Sequence, residues 1–251
     1  MIPRCATALV LFFAVIVTPL TGQTVTNSAD PAEILRGAAL LGQFSSLETR
    51  MTMDITDSRG AKKRDLAAYV ERKDDETKAL VQVVSPAFLS NLKFLSIASE
   101  AQRDQWISTS RGVRRIAGGT GNEKIFDSDF TVEDLSSYDP EDYAVTLQGT
   151  EVIGGVECHV IQAVPNETGM VDRKILYVAT GTGLLQSGEF YKDGVLDRTF
   201  ALIEYMELDG VPFPRVARMT TVTANTFTIL TVTQATSGED IPDRLFNRSN
   251  L

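Results

Sequence analysis

The chain has 251 residues, a formal net charge of −9 and 43% hydrophobic residues. This composition is typical of a globular protein, and the acidic balance argues against nucleic acid as a partner and against broad adsorption to anionic membrane surfaces. The length suits one all-β domain better than two small ones.

The N-terminus has the features of a secretory signal peptide. Arg4 precedes an apolar run of ten residues that ends at Val17 and is followed by small residues. Ten residues are too few for a helix that crosses a bilayer, which needs about 20, whereas this order of charge, apolar run and small residues suits a cleaved signal. We predict a signal over residues 1–22, with cleavage as late as residue 29 as an alternative. The exported protein would then be a single domain over residues 30–251.

A helix is predicted at the start of the exported chain. Asp30 is a favourable N-cap, Pro31 suits the first helical position, and Glu33 completes a capping box. Apolar residues then recur at helical spacing, at Ile34, Leu35, Ala38 and Leu41. We expect this helix to end near Gly42.

Beyond the helix, apolar and polar residues alternate with a period of two. Met51, Met53 and Ile55 begin the pattern, and turn sequences such as Asp193-Gly194 separate the later runs. Alternation of this kind predicts antiparallel strands joined by short turns. The pattern predicts a mainly β protein with about ten or eleven strands, and a sheet of that size tends to curl into a barrel or half-barrel.

A long connection interrupts the strands between Arg111 and Tyr143. It is rich in glycine at first and then acidic from Asp127 to Asp134, with a short helix predicted over Val132 to Ser136. A connection of about thirty residues inside a compact domain is usually functional.

The acidic run has the spacing of a calcium-binding loop at its start. Asp127, Asp129, Thr131 and Glu133 occupy the first ligand positions, but Val132 stands where the loop needs glycine. The match therefore fails. We expect these carboxylates to cap a helix or to pair with arginines, and we predict no metal site.

Signatures of catalysis are missing from the sequence. His159 is the only histidine, and it follows Cys158 directly, so the two side chains would point to opposite faces of a strand. There is no G-x-S-x-G elbow and no G-x-G-x-x-G or P-loop. We predict a non-catalytic protein with no cofactor; a small hydrolase that uses His159 or the acidic run is a rival interpretation.

A basic cluster precedes the acidic run. Arg111, Arg114 and Arg115 could bind a phosphate or carboxylate head group, because arginine donates hydrogen bonds in a planar fork. They could instead pair with acids of the connection and pin it in place, and we prefer this second interpretation. The acids available for that pairing are Asp127, Asp129, Glu133 and Asp134.

Large apolar side chains gather near the first strands and their turns. Methionine adapts to irregular apolar ligands, so these residues either fill the core or line a cavity. The residues concerned are Met51, Met53, Phe88, Leu89, Phe94 and Trp106.

Four stretches of the sequence resemble the LolA-like outer-membrane lipoprotein-sorting proteins, in their longer and less characterised branch. They are Trp106 with Arg114-Arg115-Ile116 and Gly118, then Ser128-Asp-Phe-Thr-Val-Glu-Asp-Leu135, Gly155-Val-Glu-Cys-His-Val-Ile161 with Pro165, and Leu208-Asp-Gly-Val-Pro-Phe-Pro-Arg215. Each stretch alone is weak, and their order and spacing carry the resemblance.

This resemblance implies an incomplete antiparallel β-barrel with a helical lid over an apolar cavity. It also implies a periplasmic location and carriage of lipoprotein acyl chains, or another lipid, towards the outer membrane. Met51, Met53, Phe94, Trp106 and Phe130 would line the cavity or its gate. An inner-membrane transporter and an outer-membrane acceptor would be partners. The alternative is a scaffold module of the same fold with a filled core, docked on a membrane transporter.

Overall fold

A computed structural model of the protein describes residues 30–38, 43–99, 102–116, 123–135, 140–166 and 171–251. The predicted signal peptide lies outside them. The described residues form thirteen strands and two α-helices, α1 and α2, with several short 3-10 turns. The helices are α1 Pro31–Ala38 and α2 Val132–Leu135. The strands are β1 Ser46–Asp57, β2 Gly60–Lys73, β3 Glu76–Ser85, β4 Lys93–Ala98, β5 Arg103–Thr109, β6 Gly112–Arg115, β7 Tyr143–Ile153, β8 Val156–Pro165, β9 Arg173–Ala179, β10 Leu185–Lys192, β11 Val195–Leu208, β12 Val211–Thr221 and β13 Thr226–Ser237.

All thirteen strands belong to one antiparallel sheet. Strands β1–β6 form one meander and β7–β13 a second, and pairing of β1 with β13 joins them. The edge strands are β6 and β7, so the sheet is not closed into a barrel. The prediction of a mainly β protein with one unclosed antiparallel sheet is therefore confirmed.

The number of strands exceeds the predicted ten or eleven. Strand β6 lies in the stretch that is predicted as the long connection, and its four residues are all exposed. A strand without a buried face has no apolar alternation, so the period of two could not reveal it.

The first helix begins as predicted. The Asp30 carboxylate accepts a hydrogen bond from the backbone N–H of Ala32 over 2.9 Å, which satisfies one of the free N–H groups of the first turn. Ile34 and Leu35 are buried in an apolar cluster with Ile161 and other residues of β8 and β9. The predicted helix end near Gly42 lies outside the described residues.

One face of the sheet, which we call the interior face, carries the largest apolar cluster. Met53, Phe94 and Met219 are among its most deeply buried side chains. The cluster joins residues of β4 and β10, which are seven positions apart in the sheet, or about 34 Å in a flat sheet. This distribution fits a sheet that curves around its contents.

The opposite face, here the outer face, is covered on β2–β5 by the C-terminal segment. Ile241 and Phe246 of this segment are buried against Leu80 and Leu95, and Trp106 packs against the same cluster. Lys78 forms an ion pair with Asp243 at 3.2 Å, which ties the segment to β3. None of the described helices has the length and apolar character needed to cross a membrane.

Candidate ligand-binding face

The described part of the connection between β6 and β7 lies on the interior face. Five of its side chains are buried in the same apolar cluster as Met53 and Phe94. These are Ile116, Ile125, Phe126, Phe130 and Val132. The protein's own connection therefore occupies the space that an apolar ligand would take in an open half-barrel.

Asp129 is the most deeply buried carboxylate of the connection, with 2% of its side chain exposed. It accepts hydrogen bonds from the hydroxyls of Thr221 at 2.6 Å, Thr228 at 2.7 Å and Thr226. Its backbone N–H donates to the Thr228 hydroxyl over 3.0 Å. A buried carboxylate costs free energy unless it is hydrogen-bonded, and these threonines of β12 and β13 supply the bonds.

Helix α2 follows directly and is capped at its N-terminus. The Asp134 carboxylate accepts hydrogen bonds from the backbone N–H and the hydroxyl of Thr131, at 2.7 and 2.9 Å. It also binds the buried Arg198 guanidinium of β11 at 2.5 Å. Arg198 donates a further bond to the backbone carbonyl of Asp129 at 3.3 Å. One strand arginine thus anchors both the helix and Asp129, two residues before the helix cap.

Glu133 forms the next contact between the connection and the sheet. Its carboxylate accepts hydrogen bonds from the Tyr143 hydroxyl at 2.5 Å and from the Lys174 ammonium. Burial by itself would raise the pKa of Glu133, but the charge and the hydrogen bonds of Lys174 and Tyr143 outweigh it, so the pKa is lowered. The carboxylate is therefore held in its charged form beside a buried lysine.

Arg64 of β2 supplies the third cation. Its Nη2 donates to the Asp127 carboxylate over 3.1 Å. Phe126 and Asp127 both have left-handed backbone conformations, with φ of 52° and 49°. Such conformations cost about 1 kcal/mol or more for residues other than glycine. The connection is therefore strained at the point where Arg64 holds it.

A cleft of about 390 Å³ lies where the connection meets the β1–β2 turn. Its lining combines acids, bases and one apolar side chain. The lining residues are Ile55, Asp57, Ser58, Arg59, Lys124, Asp127, Ser128, Asp129 and Thr226. Hydrogen bonds from Lys62 and Arg59 hold the pKa of Asp57 well below its usual range. The cleft opens next to the interior face and has a mixed polar and apolar lining.

Four of the five side chains expected to line a cavity lie together. Met53, Phe94 and Phe130 are buried in the interior cluster, and Met51 packs against it. Trp106 lies apart from them, with the outer cluster. Of the other apolar candidates, Leu89 also packs against the interior cluster, whereas Phe88 is 81% exposed on the β3–β4 loop.

The basic cluster and the acidic run do not meet. Arg114 pairs with Glu123 and Arg115 with Asp104, and the Arg111 side chain forms no ion pair among the described residues. Asp129 of the acidic run pairs with the nearby Lys124 at 3.6 Å, and the other three acids of the run pair with cations of distant strands. These pairs are Asp127 with Arg64, Glu133 with Lys174 and Asp134 with Arg198.

Sequence reasoning missed these three cations, although a signal for them exists. Each cation lies two residues before an apolar residue of the same strand. The pairs are Arg64 and Leu66, Lys174 and Leu176, and Arg198 and Phe200. Residues two apart in a strand share a face, so each cation lies on the apolar side, where a charge needs a partner.

Within the residues that the structure describes, no group of three or more His, Cys, Asp or Glu side chains could hold a metal ion. Cys158 is buried, and burial raises the pKa of its thiol. His159 pairs across the sheet with Val178, which is buried under α1, and Cys158 pairs with Ala179. The two adjacent side chains thus point to opposite faces, as expected.

Solved structures of other proteins share this architecture over nearly all of their length. A DUF1329 family protein from Desulfovibrio piger has a TM-score of 0.78 and 20% identity, covering 88% of this chain and 99% of its own. A domain described as outer-membrane lipoprotein-sorting, from Vibrio parahaemolyticus, has the same TM-score and coverages with 19% identity. A LolA superfamily protein from Nitrosomonas europaea has a TM-score of 0.70 and 15% identity, covering 89% of this chain and 100% of its own. No curated protein matches the chain.

A family model described as an uncharacterized protein matches residues 75–251, more than two thirds of the chain. The chain belongs to the family that this model describes, and its fold is LolA-like. All four stretches that carry the sequence resemblance lie inside the matched residues, and the predicted resemblance is confirmed. The sequence identities to the solved LolA-like structures are low, so those structures establish the fold alone. The ligand has to be inferred from the residues of this chain.

Proposed function

We propose that this LolA-like protein is a periplasmic, non-catalytic carrier of lipoprotein acyl chains or another lipid. The observation that carries the proposal is the nature of the cover on the interior face. Beneath the cover lie apolar side chains such as Met53, Phe94 and Ile107. The cover itself is one connection, which is attached partly by polar contacts to six strands, β2, β7, β9, β11, β12 and β13.

Polar contacts of this kind suit a connection that can be displaced from the interior face. When the connection is displaced, water solvates each of its carboxylates. The solvation free energy then offsets part of the cost of the broken hydrogen bonds. The apolar side chains beneath would be exposed, at a cost of about 25 cal/mol per Å². An acyl chain that takes the place of Phe126 and Phe130 would restore that burial.

Release of the cargo then needs a second protein. Transfer of an acyl chain into water would lose the burial that holds it. An inner-membrane transporter as donor and an outer-membrane acceptor would meet this need, with delivery towards the outer membrane.

The first test is extraction of the purified full chain with organic solvent, followed by mass spectrometry. Co-purifying lipid is the result expected for a carrier. Binding of N-phenyl-1-naphthylamine, a neutral apolar fluorophore, then locates the site. Ile107→Thr, on the interior face, should weaken binding several-fold, whereas Ile203→Thr, an exposed residue of β11, should leave it unchanged.

A scaffold module docked on a transporter is the second candidate, and the filled interior favours it. In that case the connection would be a permanent part of the hydrophobic core. A protein that carries no lipid and binds no fluorophore, even when Arg198→Met has loosened the connection, would exclude the carrier and support the scaffold.

A further inference from the structure

Arg64 is a buried cation whose hydrogen-bonding capacity is only partly used. Its side chain is 4% exposed, and Nη2 binds Asp127. The Nε and Nη1 atoms are also buried, and neither has a hydrogen-bond partner in the described part of the chain. A guanidinium offers five N–H donors in a fixed planar fork, and unpaired buried donors of a charged group are costly. The Arg64 guanidinium can therefore donate hydrogen bonds to another acceptor.

The surroundings of Arg64 on the interior face are apolar. Met53 lies directly opposite on β1, and Leu66 is two residues further along β2. Both are buried in the interior cluster, as is Ile55, which also lines the cleft. The guanidinium thus lies on an apolar face, and its partner Asp127 lines the neighbouring cleft.

The present partner of Arg64 is easily exchanged. The Asp127 side chain is 75% exposed and belongs to the strained part of the connection. A carboxylate so open to solvent gains little from its ion pair. Asp127 also lines the cleft, so a ligand group that displaces its carboxylate there would take over its contact with the Arg64 guanidinium.

We propose that Arg64 binds the anionic head group of an amphiphilic cargo, with a ligand carboxylate or phosphate taking the place of Asp127. This inference rests on the proposed function and names its ligand class. Carboxylates and phosphates match the arginine fork through two parallel hydrogen bonds. The ligand's hydrocarbon chain extends from Arg64 over Met53 and Leu66, where the displaced connection leaves apolar surface. Lys124 and Arg59 also line the cleft, and each is paired there with an acid, Asp129 and Asp57 respectively.

The test compares three ligands with the same sixteen-carbon chain on the full-length protein. Palmitate and 1-palmitoyl lysophosphatidate carry an anion, and hexadecanol carries none. Each is measured by displacement of N-phenyl-1-naphthylamine. Because a hydrogen bond to a charged group contributes strongly, both anions should bind about tenfold tighter than hexadecanol. Equal affinity for all three ligands would overturn the role of Arg64 and leave the carrier function standing, whereas no binding of any ligand would count against both.

Two variants connect the preference to Arg64. Arg64→Met should abolish the preference for anions, so that palmitate, lysophosphatidate and hexadecanol bind with similar affinity. Asp127→Asn removes the competing charge at an exposed position and should raise the preference several-fold, so it carries the test if Arg64→Met does not fold. An unchanged preference in Asp127→Asn would contradict the proposal.

Inorganic phosphate separates a head-group site from a site for free anions. Millimolar phosphate should not displace the fluorophore or compete with palmitate, because it lacks the chain. Competition by phosphate that disappears in Arg64→Met would identify a free-anion site and overturn the assignment to an amphiphile.

Discussion

Arg198 of β11 donates a hydrogen bond to the Asp134 carboxylate of α2 over 2.5 Å, although 64 residues separate them in the chain. Both side chains are largely buried, with 4% and 11% exposed. The pair joins the connection to a strand of the second meander. It is the contact whose loss should loosen the cover of the interior face most.

Arg198→Met should lower the free energy of unfolding by about 3 kcal/mol, because it leaves a largely buried carboxylate without its cation. Arg114→Met is the matched control, since Arg114 also binds the connection, through Glu123, but at the surface. Its cost should stay below about 1 kcal/mol. Urea unfolding measures both, and proteolysis of the connection should accelerate only in Arg198→Met. Equal effects of the two substitutions would show that the buried pair has no special role.

Asp129 and the threonines around it should behave as one unit. Asp129→Ala leaves the buried Thr221 and Thr228 hydroxyls without the acceptor that they now share, at a cost of about 2–4 kcal/mol. Thr228→Val removes one of those hydroxyls. The double variant should therefore cost at least about 1 kcal/mol less than the sum of the single variants. Strict additivity in urea unfolding would show that the Asp129 contacts are not coupled.

Stability should depend on pH through Glu133. Its pKa is lowered in the folded protein, so the unfolded chain binds more protons in the acidic range and stability rises with pH there. The contribution is complete above the ordinary carboxyl pKa of 4.5 and is lost as the pH falls through the lowered value. Glu133→Gln should reduce stability at pH 7 by about 1–3 kcal/mol and flatten the profile below pH 5. Parallel profiles for the two proteins, from urea unfolding at each pH, would contradict this role.

The strands and helices could be predicted because their signals are local. Alternation around Met53 and the cap at Asp30 each need only a few neighbouring residues, and both elements form where expected. The anchoring of the connection could not be predicted in the same way. Three of its ion pairs join residues 41 to 64 positions apart, whereas the sequence favoured the nearby arginines at 111, 114 and 115. Which strands face each other across the interior decides the partners, and that depends on the whole sheet.

Trp106 was expected near the cavity because it is large and apolar, but apolar character alone does not tell on which face of a strand a residue lies. It packs with Phe246 of the C-terminal segment on the outer face. As the only tryptophan, it reports on that segment. Phe246→Ala should remove a buried ring, lower stability by about 3 kcal/mol and shift the Trp106 emission to longer wavelength.

Asp243→Asn is the control for the same segment, because Asp243 is 85% exposed in its pair with Lys78 and should leave the emission unchanged. Ligands of the interior face should also leave it nearly unchanged, since the sheet separates them from Trp106. If palmitate or hexadecanol shifted the emission as far as Phe246→Ala does, the ligand would be binding on the outer face. The interior face would then not be the site that binds the cargo.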